Sequence, residues 1–127
     1  MSDKMSISVV SFSYKKGLPG ESDLVFDVRF LNNPHYDPQL QSLSGRDAAV
    51  AEFITGDAEF TVFFNGLTKM LEPLLPRYAD KGKSHLTIAC GCTGGRHRSV
   101  FVAERLTQWL KDKGQPVQLL HRDLDET

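Results

Sequence analysis

An α/β fold forming one domain over residues 1–127, a mixed sheet with helices packed on it, is predicted by three observations. Hydrophobic patterning runs β-β-α-α-β-α-β along the chain, switching between a period of two and a helical period. The last three elements make a β-α-β unit, whose crossover is right-handed and whose strands are parallel. The composition, 40% hydrophobic and 24% charged over 127 residues, is that of one globular core of ordinary size.

The first strand is "SISVVSFSY", Ser6 to Tyr14, where small polar residues are interleaved with apolar, partly β-branched ones. Two glycines and a proline make "KKGLPGESD" a turn-rich connector. "LVFDVRF", Leu24 to Phe30, is a second strand that puts Asp27 and Arg29 on the face opposite Val28 and Phe30. A long polar stretch follows, "LNNPHYDPQLQSLSG", with prolines at 34 and 38; loops of this length are uncommon in compact domains and often carry function. Ser44 with Asp47 forms a weak capping box for a short helix reaching Phe53. Asp57 starts a long helix with an apolar stripe of Phe60, Phe63, Phe64, Leu67, Leu71, Leu74 and Leu75. Pro73 and Pro76 are expected to kink or end it, and Gly82 closes the segment. "HLTIAC", His85 to Cys90, reads as a buried strand. "RSVFVAERLTQWLKDKG" is a helix with Lys111 and Lys113 in its last turn and Gly114 beyond it. "PVQLL", Pro116 to Leu120, is the last strand, and "HRDLDET" a polar end. No internal repeat and no second domain is visible.

The charge balance narrows the function classes. A net charge of -1 gives no global basic field for nucleic acid or an acidic membrane. No run reaches the roughly 18 apolar residues of a membrane helix, so no membrane partner is expected. "MSDKMSISVV" lacks the apolar centre of a signal peptide, which makes the cytoplasm the expected location. Cys90 and Cys92, at i and i+2, would close a badly strained disulfide ring.

The chemistry concentrates in "CGCTGGRHRS", Cys90 to Ser99, between the third strand and the last helix. Ligands bind at such joints in α/β sheets. Three readings are open. In the first, glycines 91, 94 and 95 curl the backbone into an anion cradle, the helix N-terminus adds donors, and Thr93, Arg96, Arg98 and Ser99 add side-chain ones. A solvated glycine turn is its plain alternative. In the second, Cys92 to Ser99 fits C-x5-R-S, the phosphate loop of tyrosine phosphatases and some arsenate reductases. Cys92 would be the nucleophile, Arg98 the phosphate ligand, and Asp37 or Asp27 the acid for the leaving group. Inert core cysteines are the plain alternative there. The third places zinc on Cys90, Cys92 and His97 with His35, His85 or His121; structural zinc sites normally pair cysteines two to four residues apart, so no metal and no cofactor is expected.

Two other features bear on the loop. His35, stiffened between two prolines in "NNPHYDP", is placed to donate to an anion. Asp27 and Arg29, on an otherwise apolar strand, are expected to pair and to support the site.

Two long stretches, "FDVRFLNNPHYDPQLQSLSGRD" and "GCTGGRHRSVFVAERL", together resemble the C-terminal domain of the RapZ family of RNase adapter proteins. The likeness extends from about Ser11 to Asp123. It implies a fold like a phosphofructokinase subdomain and a non-enzymatic sensor or adapter that holds an amino-sugar phosphate, glucosamine-6-phosphate. It also implies self-association and contact with small regulatory RNAs. The family's ligand residues match His35, Thr93, Gly94 and Arg98; with the cradle, the expected ligand set is His35, Thr93, Gly94, Gly95, Arg96, His97, Arg98 and Ser99. Two departures follow. Full-length members carry an N-terminal P-loop domain with G-x-x-x-x-G-K-[ST], which nothing here matches; the chain is expected to start near the domain boundary, and nucleotide binding by such a loop does not carry over. Members that bind RNA end in a basic tail, whereas this chain ends in the acidic "RDLDET". RNA contact is left to a patch of Lys15, Lys16, Arg96 and Arg98.

Overall fold

The computed structural model describes residues 5–124. Positions 1–4 and 125–127, which hold the start of the stretch read above for a signal peptide and the acidic end of the chain, lie outside the described residues. The strands are β1 (Ser6–Ser13), β2 (Leu24–Asp27), β3 (His85–Cys92) and β4 (Val117–His121), and the helices α1 (Ala48–Thr55), α2 (Ala58–Asp80) and α3 (Arg98–Asp112). Their order is the one the patterning predicts, and the class is α/β.

The sheet runs β2-β3-β1-β4, and every neighbouring pair is parallel. This corrects the expectation of a mixed sheet. β1 and β2 are joined by a short connector but do not pair; β3 enters between them, hydrogen-bonded to both. All four strands therefore end on the same side, with Ser13 opposite Cys92, Asp27 opposite Gly91 and Ser11 opposite His121.

Alternation along the strands decides what each face does. Ile7, Val9, Leu86, Ile88, Cys90 and Cys92 belong to the main core, together with Val102, Leu106 and Leu110 of α3. The intervening residues Ser6, Ser8, His85 and Thr87 carry polar groups, and both ring nitrogens of His85 meet the Ser6 and Ser8 hydroxyls at 2.6 and 3.1 Å. Helix α2 lies beside α3 and over β2, with Phe60 against Phe101 at 5.3 Å and Phe63 against Phe26 at 6.4 Å between ring centroids.

Three local expectations are revised. Helix α2 continues through Pro73 and Pro76 to Asp80 instead of ending there. Each proline removes one backbone donor, but burial of Leu67, Leu71 and Leu75 holds the last turns in register. β2 stops at Asp27, because the chain turns after Val28 donates to the Gly91 carbonyl (2.9 Å) and Leu31 closes back on Val28 (3.3 Å). The Ser44–Asp47 box exists, with the Ser44 amide donating to Asp47 Oδ2 at 2.7 Å, yet α1 begins only at Ala48.

Candidate ligand-binding site

Residues 93–97 join β3 to α3 at the C-terminal edge of the sheet. Gly95 has φ +67, and a β-carbon there would lie 2.9 Å from both the β-carbon and the amide of Ser13. Only glycine meets both demands. Ser13 is the fixed point beneath the loop: its hydroxyl donates to the Thr93 carbonyl (2.7 Å), and its amide donates to the buried Asp123 carboxylate (2.7 Å). Burial would push the Asp123 carboxyl up, but the Arg122 guanidinium and the Ser13 amide hold it below its ordinary value.

The long loop between β2 and α1 folds over the start of α3. Gly45 sits so close that a β-carbon would collide with the His97 carbonyl and the Phe101 amide, and its own amide donates to the Arg96 carbonyl at 2.9 Å. Arg96 reaches back to the same loop through Nε to the Leu43 carbonyl (2.8 Å) and Nη2 to the Ser42 carbonyl. The His97 Nε2 contacts the Leu40 carbonyl at 3.1 Å, which makes that nitrogen the donor. Burial pulls the His97 pKa below its usual value, so the ring is neutral at pH 7. Arg98, only 5% exposed, donates from Nη1 to the carbonyls of Arg29 (2.7 Å) and Leu31 (3.0 Å), while its buried Nε has no partner among the described residues.

Between the two loops lies a cavity of about 500 Å³. One wall is Cys92, Thr93, Gly94, Arg96, His97 and Arg98; the other is Asn33, His35, Tyr36 and Gln41, with Lys15 at a third side. His35 therefore meets the glycine loop across the cavity, although 58 positions separate it from Thr93. A 3₁₀ turn at Pro34–Tyr36, capped by Asn33 accepting from the His35 amide at 3.0 Å, presents it.

Six of the eight residues expected to hold a ligand border this cavity: His35, Thr93, Gly94, Arg96, His97 and Arg98. Gly95 lies beneath it against Ser13, and Ser99 is fully buried. The Ser99 hydroxyl accepts from the Cys92 thiol at 3.2 Å, and its amide donates to the Cys92 sulfur at 3.4 Å. Asp27 and Arg29 pair with each other through two contacts of 2.9 and 2.6 Å, and that pairing holds the Asp27 carboxyl below its ordinary range. Asp37 accepts from the Gln39 amide at 2.9 Å and does not border the cavity. Lys15, Asn33, Tyr36 and Gln41 were not among the expected ligand residues; only the strand order brings Lys15 to this edge.

The metal reading finds its residues dispersed. His85 is held by Ser6 and Ser8, and His121 sits between the Ser11 hydroxyl (2.7 Å) and Glu104 (2.8 Å). No group of three or more His, Cys, Asp or Glu gathers among the described residues. Burial raises the Cys90 thiol pKa to about 12, which leaves it an inert core group. Among the described residues no helix is long and apolar enough to cross a membrane.

Comparison with known proteins agrees with this architecture. The sequence model of the RapZ C-terminal domain matches residues 5–125. A nucleotide-binding protein of Paramagnetospirillum magneticum is 59% identical over 122 residues, covering 96% of this chain and 40% of that protein. One of Rhodospirillum centenum is 60% identical over 121 residues, covering 95% of this chain and 36% of that protein, and one of Rhodospirillum rubrum is 52% identical over 124, covering 98% and 39%. The chain thus spans about two fifths of the length of the curated relatives it matches. It belongs to the RapZ C-terminal domain family.

Proposed function

We propose that this member of the RapZ C-terminal domain family is a non-enzymatic sensor or adapter domain that holds a phosphorylated small molecule in the cavity at the end of its sheet. The observation that carries the reading is charge. Lys15, Arg96 and Arg98 border the cavity, and among the described residues no aspartate or glutamate does. A cleft lined by one sign of charge focuses its field and draws in the opposite ion. The start of α3 adds to this, because the amides of Thr93, Gly94 and Arg98 have no protein acceptor among the described residues. Asn33, Tyr36, His35 and Gln41 supply neutral polar groups suited to sugar hydroxyls. The family resemblance supplies the sugar, an amino sugar as in glucosamine-6-phosphate. It also supplies self-association and a regulatory RNA or protein that reads the bound state.

The missing carboxylate also separates holding a phosphate from transferring one. A cysteine phosphatase needs an acid for the leaving oxygen. Asp37 and Asp27 are engaged elsewhere, and Arg98 turns Nη1 to loop carbonyls. The nucleotide binding named for the relatives is not carried over, since their matched portion here lacks G-x-x-x-x-G-K-[ST]. Calorimetric titration of glucosamine-6-phosphate, run beside a phosphate-release assay, tests the reading. Saturable binding without release is expected. Absence of binding, or thiol-dependent release that disappears in Cys92→Ser, overturns it.

A further inference from the structure

We infer that Lys15 supplies an adaptable positive charge to the bound phosphate, which makes the turn after β1 a third wall of the site. The inference rests on the phosphate-binding reading above and gives Lys15, grouped above with Lys16, Arg96 and Arg98 only as a patch for RNA, a separate role toward the small ligand.

Three cations border the cavity, and they differ in what else they touch. Arg96 is engaged by the Leu43 and Ser42 carbonyls, and Arg98 by those of Arg29 and Leu31. These arginines tie the long loop to the start of α3. The Lys15 ammonium, in contrast, makes no hydrogen bond or ion pair among the described residues; only its backbone amide is bound, to the Ser13 hydroxyl at 3.2 Å. An unpaired ammonium beside two guanidinium groups is repelled unless an anion joins them.

The backbone of Lys15 is nevertheless fixed. It sits in a 3₁₀ turn, Tyr14–Lys16, capped by Ser13, and Ser13 is itself bound to Thr93 of the glycine loop and to Asp123. A flexible four-carbon stem on a fixed base lets the ammonium follow a phosphate whose orientation the rest of the cavity sets. Lys16 stands in the same turn but does not border the cavity; its field falls on Asp123 instead. It is the internal control.

The experiment titrates the chain with glucosamine-6-phosphate and with inorganic phosphate, in the wild type and in Lys15→Ala, Lys15→Arg and Lys16→Ala. Lys15→Ala should lose about tenfold or more in affinity for both probes, because a charge-assisted contact is removed. Lys15→Arg should stay within about threefold of wild type, since it keeps the charge, and Lys16→Ala within about twofold, since it lies outside the contact. Equal affinity in Lys15→Ala and wild type overturns the inference while leaving the site standing. So does an equal loss in Lys16→Ala, which assigns the effect to the general field. A wild type that binds neither probe overturns the site and this inference together.

Discussion

The two ends of the sheet carry similar residues and treat their charge in opposite ways. At the end where the strands begin, a shallow cleft of about 360 Å³ is bordered by Glu21, Ser22, Asp23, Lys83, His85 and Thr87. Its one cation is taken up by a carboxylate: Lys83 meets Asp23 at 2.8 Å, the Thr87 amide donates to the same carboxylate at 2.8 Å, His85 is bracketed by two serines, and Glu21 adds a second negative charge. At the end where the strands finish, the cavity gathers three cations and no carboxylate among the described residues. A cleft whose only cation is already paired and whose surplus charge is negative repels an anion, whereas one lined by cations alone draws one in. The difference marks the second cleft, and not the first, as a place built for an anion.

Substitutions at the two ends should break that symmetry unequally. The largest effect is expected at Arg98. Arg98→Ala removes a buried charge from the cavity and strands the Arg29 and Leu31 carbonyls. A loss of about 2–5 kcal/mol in phosphate affinity is expected, from a removed buried ionic contact. Stability should fall as well, by roughly 1–3 kcal/mol for unsatisfied buried groups. Calorimetry and denaturant unfolding measure the two separately, and unchanged affinity would show that Arg98 serves the loop alone.

Next comes Asp123, the far anchor of the site. Asp123→Asn keeps the shape but weakens the bond to the Ser13 amide and the pairing with Arg122. A loss of about 1–2 kcal/mol in stability is expected for a charge-assisted bond in a buried place. The pH dependence has a definite sign. The folded-state pKa of Asp123 lies below the ordinary 3.8, so its contribution is complete above that value and is lost as pH falls through the lower, folded one. Denaturant midpoints of wild type and Asp123→Asn should therefore converge in strong acid; a constant gap would remove Asp123 from the account.

Asp23→Asn, at the end where the strands begin, should have the smallest effect. The Asp23–Lys83 pair is partly exposed, with 27% and 34% of the side chains accessible, and screening keeps such a pair near or below about 1 kcal/mol. Phosphate affinity should not change at all. A change there would mean that the two ends are coupled.

Much of this was legible in the sequence, and the remainder has a physical reason for being hidden. The strand-to-helix joint with its glycines and arginines stands out locally, because close backbone approach and anion contact demand those residue types. Asp57 as the cap of α2 and Arg98 as the start of α3 follow from local rules in the same way. Strand order does not. Nothing in the short connector after β1 announces that β3 enters beside it, so the parallel sheet was out of reach, and Lys15, grouped with Lys16, Arg96 and Arg98 as an RNA patch, could not be told from Lys16 as the lysine that borders the cavity. The roles of Arg96 and Arg98 were equally hidden. Their partners are carbonyls some 53 to 69 residues away, and a carbonyl leaves no trace in the identity of its residue. Asp123 read as part of a polar end, although it is 5% exposed and anchors Ser13.

Amide shifts in a ¹⁵N–¹H spectrum, followed while glucosamine-6-phosphate is added, test the charge comparison most directly, because one experiment reports on both ends of the sheet. The account predicts saturable shifts confined to Lys15, His35, Gln41 and the loop from Thr93 to Arg98, with Asp23, Lys83 and Thr87 unmoved. Shifts centred on Asp23, Lys83 and Thr87, or no saturable shift at the loop, would contradict it.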